Sequence, residues 1–192
     1  MPQVLVFSGP ALPLLDMANQ MKPDGWDLHV CTSDSTEAEV TEAAEIADFI
    51  LVFGHGVSDT VLRVAKKTKL VQLCSAGFDG INLRLAGELG IPVANNGGAN
   101  AIPVAEFAIT LTLSTIRHLT VAAADTVAGQ WMRTAVDGRD SHELFATTVG
   151  IIGAGRIGST VAGMLRGFET TTLNTDKVRS EKAESYGAVK VE

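Results

Sequence analysis

Three glycines, Gly153, Gly155 and Gly158, stand in a Gly-x-Gly-x-x-Gly spacing between an apolar run and a helical pattern. Alone the spacing is weak evidence, but strand, turn and helix in that order make the chemistry specific. Gly153 permits a tight turn, Gly155 leaves room for a pyrophosphate, and Gly158 lets the helix pack closely on the strand. The backbone N–H groups of Arg156 and Ile157 then face the phosphates, whose negative charge suits the helix N-terminus. The Arg156 side chain either adds a charge-assisted contact or lies in solvent. Asp176 follows Gly158 by about eighteen residues, after the run TTTLNT. A carboxylate at that place accepts hydrogen bonds from ribose hydroxyls. It also repels a 2′-phosphate, by roughly 4 kcal/mol per charge pair at ~4 Å and an effective dielectric of ~20 before screening. The expected cofactor is NAD rather than NADP, although Lys177 and Arg179 soften that repulsion.

Other groups that could do chemistry are sparse. Cys31 and Cys74 end the runs DLHVC and LVQLC and read as buried, reduced thiols on strands. No Cys-x-x-Cys or histidine cluster accompanies them, so no metal site is expected. Of the four histidines, His29 reads as a strand residue, His118 as helix surface and His142 as a loop or cap residue. His55, in Gly54-His55-Gly56, follows a strand and could touch ligand.

These groups need a frame. The chain has 192 residues, 46% hydrophobic and 19% charged, enough for one large or two small domains with a core. A net charge of -7 argues against a general grip on nucleic acid or an anionic membrane. The start Met-Pro-Gln-Val-Leu-Val does not read as a signal peptide, and the expected location is cytoplasmic. The most apolar stretch, Ala101 to Leu119, contains Glu106 and Arg117 and reads as a buried helix, not a membrane span.

Short apolar runs alternate with helical patterns. Strands are expected at Val4–Phe7, Leu28–Cys31, Phe49–Phe53, Leu70–Cys74 and Pro92–Ala94, with helices at 12–21, 37–47, 59–65 and 82–89. Alternation of this kind specifies a parallel sheet covered on both faces. The expected fold class is α/β: a flavodoxin-like parallel-sheet domain over 1–98, then connecting helices and a partial Rossmann NAD-binding domain over 99–192. In the second part helices are expected at 101–119 and 121–131, and a polar loop at 134–140. Strands at 147–152, 170–174 and 189–191 then alternate with helices at 157–168 and 181–186.

The stretches Lys69–Ile81 (KLVQLCSAGFDGI), Gly90–Ala108 (GIPVANNGGANAIPVAEFA) and Thr147–Asp176 resemble the D-isomer-specific 2-hydroxyacid dehydrogenases. The resemblance runs over essentially the whole chain and implies a small 2-hydroxy or 2-keto acid as substrate. It implies that the N–H groups of Ala76 and Gly77, in a loop begun by Ser75, hold the substrate carboxylate. Read alone, Ser75-Ala76-Gly77 is equally a plain strand-to-helix turn. Asn100 and Val104 match positions near the cofactor, and Asn100 is also a candidate N-cap, or both. Glu106 reads as structural. Glu169 stands where the family usually has glycine, a departure expected to touch packing only.

The family's catalytic arginine, glutamate and histidine match nothing in these residues, so no catalytic residue is assigned and no turnover is expected from them alone. The third strand is expected to expose an apolar edge. The resemblance also implies a homodimer through residues of about 101–144. The alternative to a dehydrogenase is an NAD(H)-binding sensor or corepressor-like module without turnover.

Overall fold

The computed structural model describes residues 1–8, 12–54, 56–130 and 141–192, with residues 12–15 described by backbone alone. By internal contacts the chain divides into two compact units, Met1–Gly97 and Gly98–Glu192.

The first unit holds β1 (Gln3–Ser8), α1 (Leu12–Met21), β2 (Asp27–Cys31), α2 (Glu37–Ile46), β3 (Phe49–Phe53), α3 (Asp59–Val64), β4 (Leu70–Leu73), α4 (Leu83–Glu88) and β5 (Val93–Ala94). Its five strands are parallel in the order β2-β1-β3-β4-β5, the flavodoxin-like order. The helices start where side chains can cap them. Thr36 and Glu39 form a capping box on α2, Ser58 accepts from Val61 N–H, and Asn82 accepts from Leu85 N–H. One sheet face, carrying Leu5, Ile50, Val52 and Val71, is buried against Ala44 and Ala47 beside α2, Val61 and Leu62 of α3, and Leu85 of α4. On the opposite face Trp26 stacks on Phe49 with centroids 5.1 Å apart.

The second unit opens with α5 (Ala101–Ile116) and α6 (Leu119–Val127). There follow β6 (Thr148–Ile152), α7 (Arg156–Leu165) with a 3-10 turn (Arg166–Phe168), β7 (Thr171–Thr175), α8 (Glu181–Ser185) and β8 (Val189–Lys190). Its sheet is parallel, in the order β6-β7-β8. Small residues bring helices and sheet together: Ala154, Ala162, Ala183 and Ala188 are buried, with Ile151 against them.

Four expectations change. The helix expected through Leu119 ends at Ile116, because His118 takes a left-handed conformation with φ 49° and α6 starts at once. Nor is α5 a buried helix. Only Ala105 is fully buried, while Ile102, Phe107 and Leu111 lie exposed, because α7 takes a single stripe of α5. Cys31 is buried as expected, but Cys74 is half-buried and follows the end of β4. Burial pushes both thiols up from their ordinary value. Glu169 has φ 54°, so the departure from glycine strains the backbone rather than the packing. Among the described residues no single helix is long and apolar enough to cross a membrane, and the apolar pair α5 and α6 is bent by 68°. The end of the second expected helix and the loop at 134–140 run into residues outside the described ones, as does His55.

Candidate functional site

In the second unit the glycine turn connects β6 to α7. Gly153 has φ +92°, a backbone conformation that L side chains rarely adopt, and its N–H donates to Thr175 O at 2.8 Å. That bond ties the carboxyl end of β6 to the carboxyl end of β7. A Cβ on Gly158 would collide with the carbonyl oxygen of Gly153 and lie 3.1 Å from Ile151 Cγ2. Helix and strand approach that closely only because Gly158 has no side chain. Gly155 is the N-cap of α7, and a Cβ built on it would meet nothing within 4 Å. The space over it is open.

That space belongs to a cavity of about 500 Å³ lined by Ala154, Gly155, Arg156, Ser159, Asp176 and Arg179, among others. The first N–H groups of a helix have no intrahelical acceptor, so those of Arg156 and Ile157 are available to an anion. Asp176 follows β7 directly and accepts weakly from Val178 N–H at 3.4 Å. Glycine turn and aspartate thus share one cavity. The stem of Arg156 lies against Gly98, whose added Cβ would stand 3.0 Å from Arg156 Cδ. The open glycine and the free helix terminus fit a dinucleotide pyrophosphate, and the acid beyond them fits a ribose diol.

Asn100 is the N-cap of α5 by position, but its side chain makes no capping bond. Its carbonyl accepts from Val104 N–H at 3.0 Å, and Val104 is 37% exposed. Both side chains therefore keep polar or apolar surface free for a ligand. Glu106 lies beyond the first turn of α5, exposed, and its carbonyl accepts from the Thr110 hydroxyl at 2.9 Å.

In the first unit the loop after β4 borders a cavity of about 350 Å³ with Gly54, Gly56, Ser75, Gly77, Phe78 and Asp79. It lies at the carboxyl ends of parallel strands, where α/β sheets bind ligands. Ser75 Oγ donates to Gly77 O at 2.8 Å and Ser75 O accepts from Asn96 N–H at 3.0 Å. Asn95 Nδ2 donates to Ala76 O at 2.7 Å. These bonds fix the loop through its carbonyls, and the N–H groups of Ala76 and Gly77 have no acceptor among the described residues. A pair of free, positioned donors suits a carboxylate.

The sequence reading missed Asn95 as the brace of this loop and the pairing of Arg179 described below. Asn95 sits only five residues before Asn100 in the stretch Gly90–Ala108 that carries the resemblance, yet its partner is set by the fold. His29 lies on β2 and hydrogen-bonds Gln3 Oε1, while His142 donates its N–H to Ile116 O at 3.0 Å in irregular chain. No group of three metal-ligating residues forms among the described residues. A more apolar cavity of about 430 Å³ lies under α1 between Met17, Met21, Trp26, Phe49 and Leu70. It carries neither the glycine turn nor Asp176 and is not the candidate site.

The chain matches the family model of the D-isomer specific 2-hydroxyacid dehydrogenase catalytic domain over residues 4–186. It is 33% identical over 177 residues to D-3-phosphoglycerate dehydrogenase of Methanocaldococcus jannaschii, covering 91% of this chain and 33% of that one. It is 30% identical over 170 residues to hydroxypyruvate reductase of Thermotoga maritima, covering 88% and 55%. Among solved structures it is similar to D-lactate dehydrogenase from Aquifex aeolicus in complex with NAD and lactic acid. There the TM-score is 0.78 at 26% identity, covering 98% of this chain and 55% of that one. The chain thus spans between a third and about half of these relatives.

Proposed function

We propose that this chain, which belongs to the D-isomer-specific 2-hydroxyacid dehydrogenase family, forms the dinucleotide turn and carboxylate loop of an NAD-dependent oxidoreductase. The substrate class is a small 2-hydroxy acid, or the matching 2-keto acid, changed at its CH–OH carbon. One observation carries the reading: the open space over Gly155 and the carboxylate of Asp176 line the same cavity at the N-terminus of α7. The relatives described above supply its chemical sense.

Residues 1–98 act in this reading as the substrate domain, and 99–192 as the NAD-binding part. Gly153, Gly155 and Gly158 hold the pyrophosphate turn, with N–H donors from Arg156 and Ile157. Asp176 takes the ribose hydroxyls, and Asn100 and Val104 border the cofactor. Ala76 and Gly77 hold the substrate carboxylate through their N–H groups, positioned by Ser75 and by Asn95. A nicotinamide dinucleotide held by these residues would supply the hydride donor or acceptor for the substrate carbon. The residues of this chain bind and orient; none is assigned the proton-transfer step. The exposed apolar face of α5 and α6 is the homodimer surface, within about 101–144. The protein works in the cytoplasm, in keeping with two free thiols.

Calorimetric titration with NAD and NADH tests the reading. Saturable binding of either supports it; no heat of binding with both overturns it. The purified chain is expected to bind without oxidising NADH in the presence of hydroxypyruvate or glyoxylate. Measurable oxidation would overturn that part and rule out the alternative, an NAD(H)-binding module without turnover.

A further inference from the structure

Arg179 lies in the loop between β7 and α8, three residues beyond Asp176, and borders the same cavity. Its guanidinium is paired with Glu184. Nε donates to both carboxylate oxygens of Glu184, at 3.0 and 2.8 Å, and Nη2 donates to Oε2 at 2.6 Å. Glu184 is not among the residues lining the cavity. It is held in α8, which Ser180 caps by accepting from Ala183 N–H at 3.4 Å and which packs through the buried Ala183. Glu184 is therefore a fixed anchor, with its side chain 24% exposed against 70% for Arg179. The pair uses the Nε–Nη2 edge of the guanidinium, one of the N–H edges with which arginine would grasp a phosphate. Of the neighbouring cations, Lys182 Nζ lies 3.5 Å from Thr160 Oγ1, the Arg156 stem rests on Gly98, and Lys177, next to Asp176, is exposed.

We infer that Glu184 is a determinant of dinucleotide choice: by engaging Arg179, it withholds from a 2′-phosphate beside Asp176 the one cation there with a guanidinium fork in a carboxylate's grip. Asp176 supplies repulsion, and Glu184 removes part of what would offset it, the charge of Lys177 remaining. Discrimination between two ligands is built here, as elsewhere, from an unfavourable element as well as a favourable one. The two partners answer each other electrostatically. The Arg179 guanidinium holds the Glu184 carboxyl below the usual glutamate range, and Glu184 raises Arg179 further above its ordinary value.

The inference rests on the dinucleotide reading given above, and the experiment separates the two. NAD is titrated calorimetrically into the full chain, and NADP is measured by displacement of bound NAD, all at one ionic strength. An exposed ion pair is weak, so Glu184→Gln is expected to raise NADP affinity relative to NAD by about 3- to 5-fold. On an Arg179→Ala background the same substitution is expected to change that ratio by less than about 1.5-fold, since no guanidinium remains to be released. An equal shift with and without Arg179 would show a through-space charge effect and overturn the inference. So would no shift in a chain that binds NAD. If the unaltered chain binds neither dinucleotide, the site reading falls and this inference falls with it.

Discussion

At the scale of single residues, the glycines divide their labour by geometry. Gly153 is required by its positive φ, Gly155 by the open space above it, and Gly158 by the Gly153 carbonyl in its path. Only the last is a contact that a methyl group must break. Gly158→Ala is expected to push α7 off β6, costing about 1–3 kcal/mol of unfolding free energy, as overpacked cores do. NAD affinity should fall at least about tenfold, because the helix terminus no longer faces the turn. Urea unfolding with parallel titration of NAD checks both. Unchanged stability together with unchanged affinity would mean that the helix shifts without consequence. The spacing of these glycines is legible in the sequence because each acts through its own backbone. The bond from Asn95 to Ala76 and the pair of Arg179 with Glu184 are not, since each depends on where two loops or a loop and a helix meet.

At the scale of elements, apolar periodicity marks nearly every strand and helix, and the 3-10 turn after α7 ends at Phe168, where the helix expected over 157–168 also ends. The break at His118 is the boundary missed: that residue is left-handed without being glycine, and with no glycine or proline beside it nothing in the composition marks it. The strain at Glu169 is testable. Its φ of 54° is one that glycine adopts freely, so Glu169→Gly is expected to raise unfolding free energy by about 0.5–1 kcal/mol, with the greater chain entropy of glycine offsetting part of the gain. Thermal unfolding measures it, and a lower midpoint would show that the Glu169 side chain is stabilising by some other route.

Asp48 links three strands of the first sheet. Its carboxylate accepts from Lys69 Nζ at 2.8 Å and from Gln3 N–H at 3.0 Å, while its backbone bonds Gln3 and Lys69 as well. The Lys69 bond, followed by the Gln3 bond, holds the acid below the ordinary aspartate value of 3.8. A depressed folded value means that the charged form stabilises the fold. The contribution is fully present above 3.8 and is lost as pH falls through the lower folded value. Asp48→Asn should therefore be less stable than the unaltered chain at pH 7, and the difference should narrow as pH falls below that range. Urea midpoints across that pH series report it, and a constant difference would assign the effect to hydrogen bonding without charge.

At the scale of the molecule, the second unit leaves much apolar surface in water. On α5 and α6, Ile102 is 61% exposed, Phe107 60%, Leu119 56% and Val127 91%. Apolar side chains exposed on one helix face, where they join into a patch, mark an interface in soluble proteins. The α7-facing stripe of α5 is already used, so the opposite side, carrying Phe107 and Leu111, is the part left for a partner. A second copy of the chain offers the same patch, and a two-fold pairing buries both at once. Light scattering at micromolar concentration should then give twice the mass of one chain. Phe107→Asp together with Leu111→Asp places two charges in each half of that contact and should return the mass to that of a monomer. Far-ultraviolet circular dichroism should stay unchanged, because neither side chain is part of the buried core. A monomer mass for the unaltered chain would remove the dimer from the proposed function, while the dinucleotide reading stands or falls on the NAD titration.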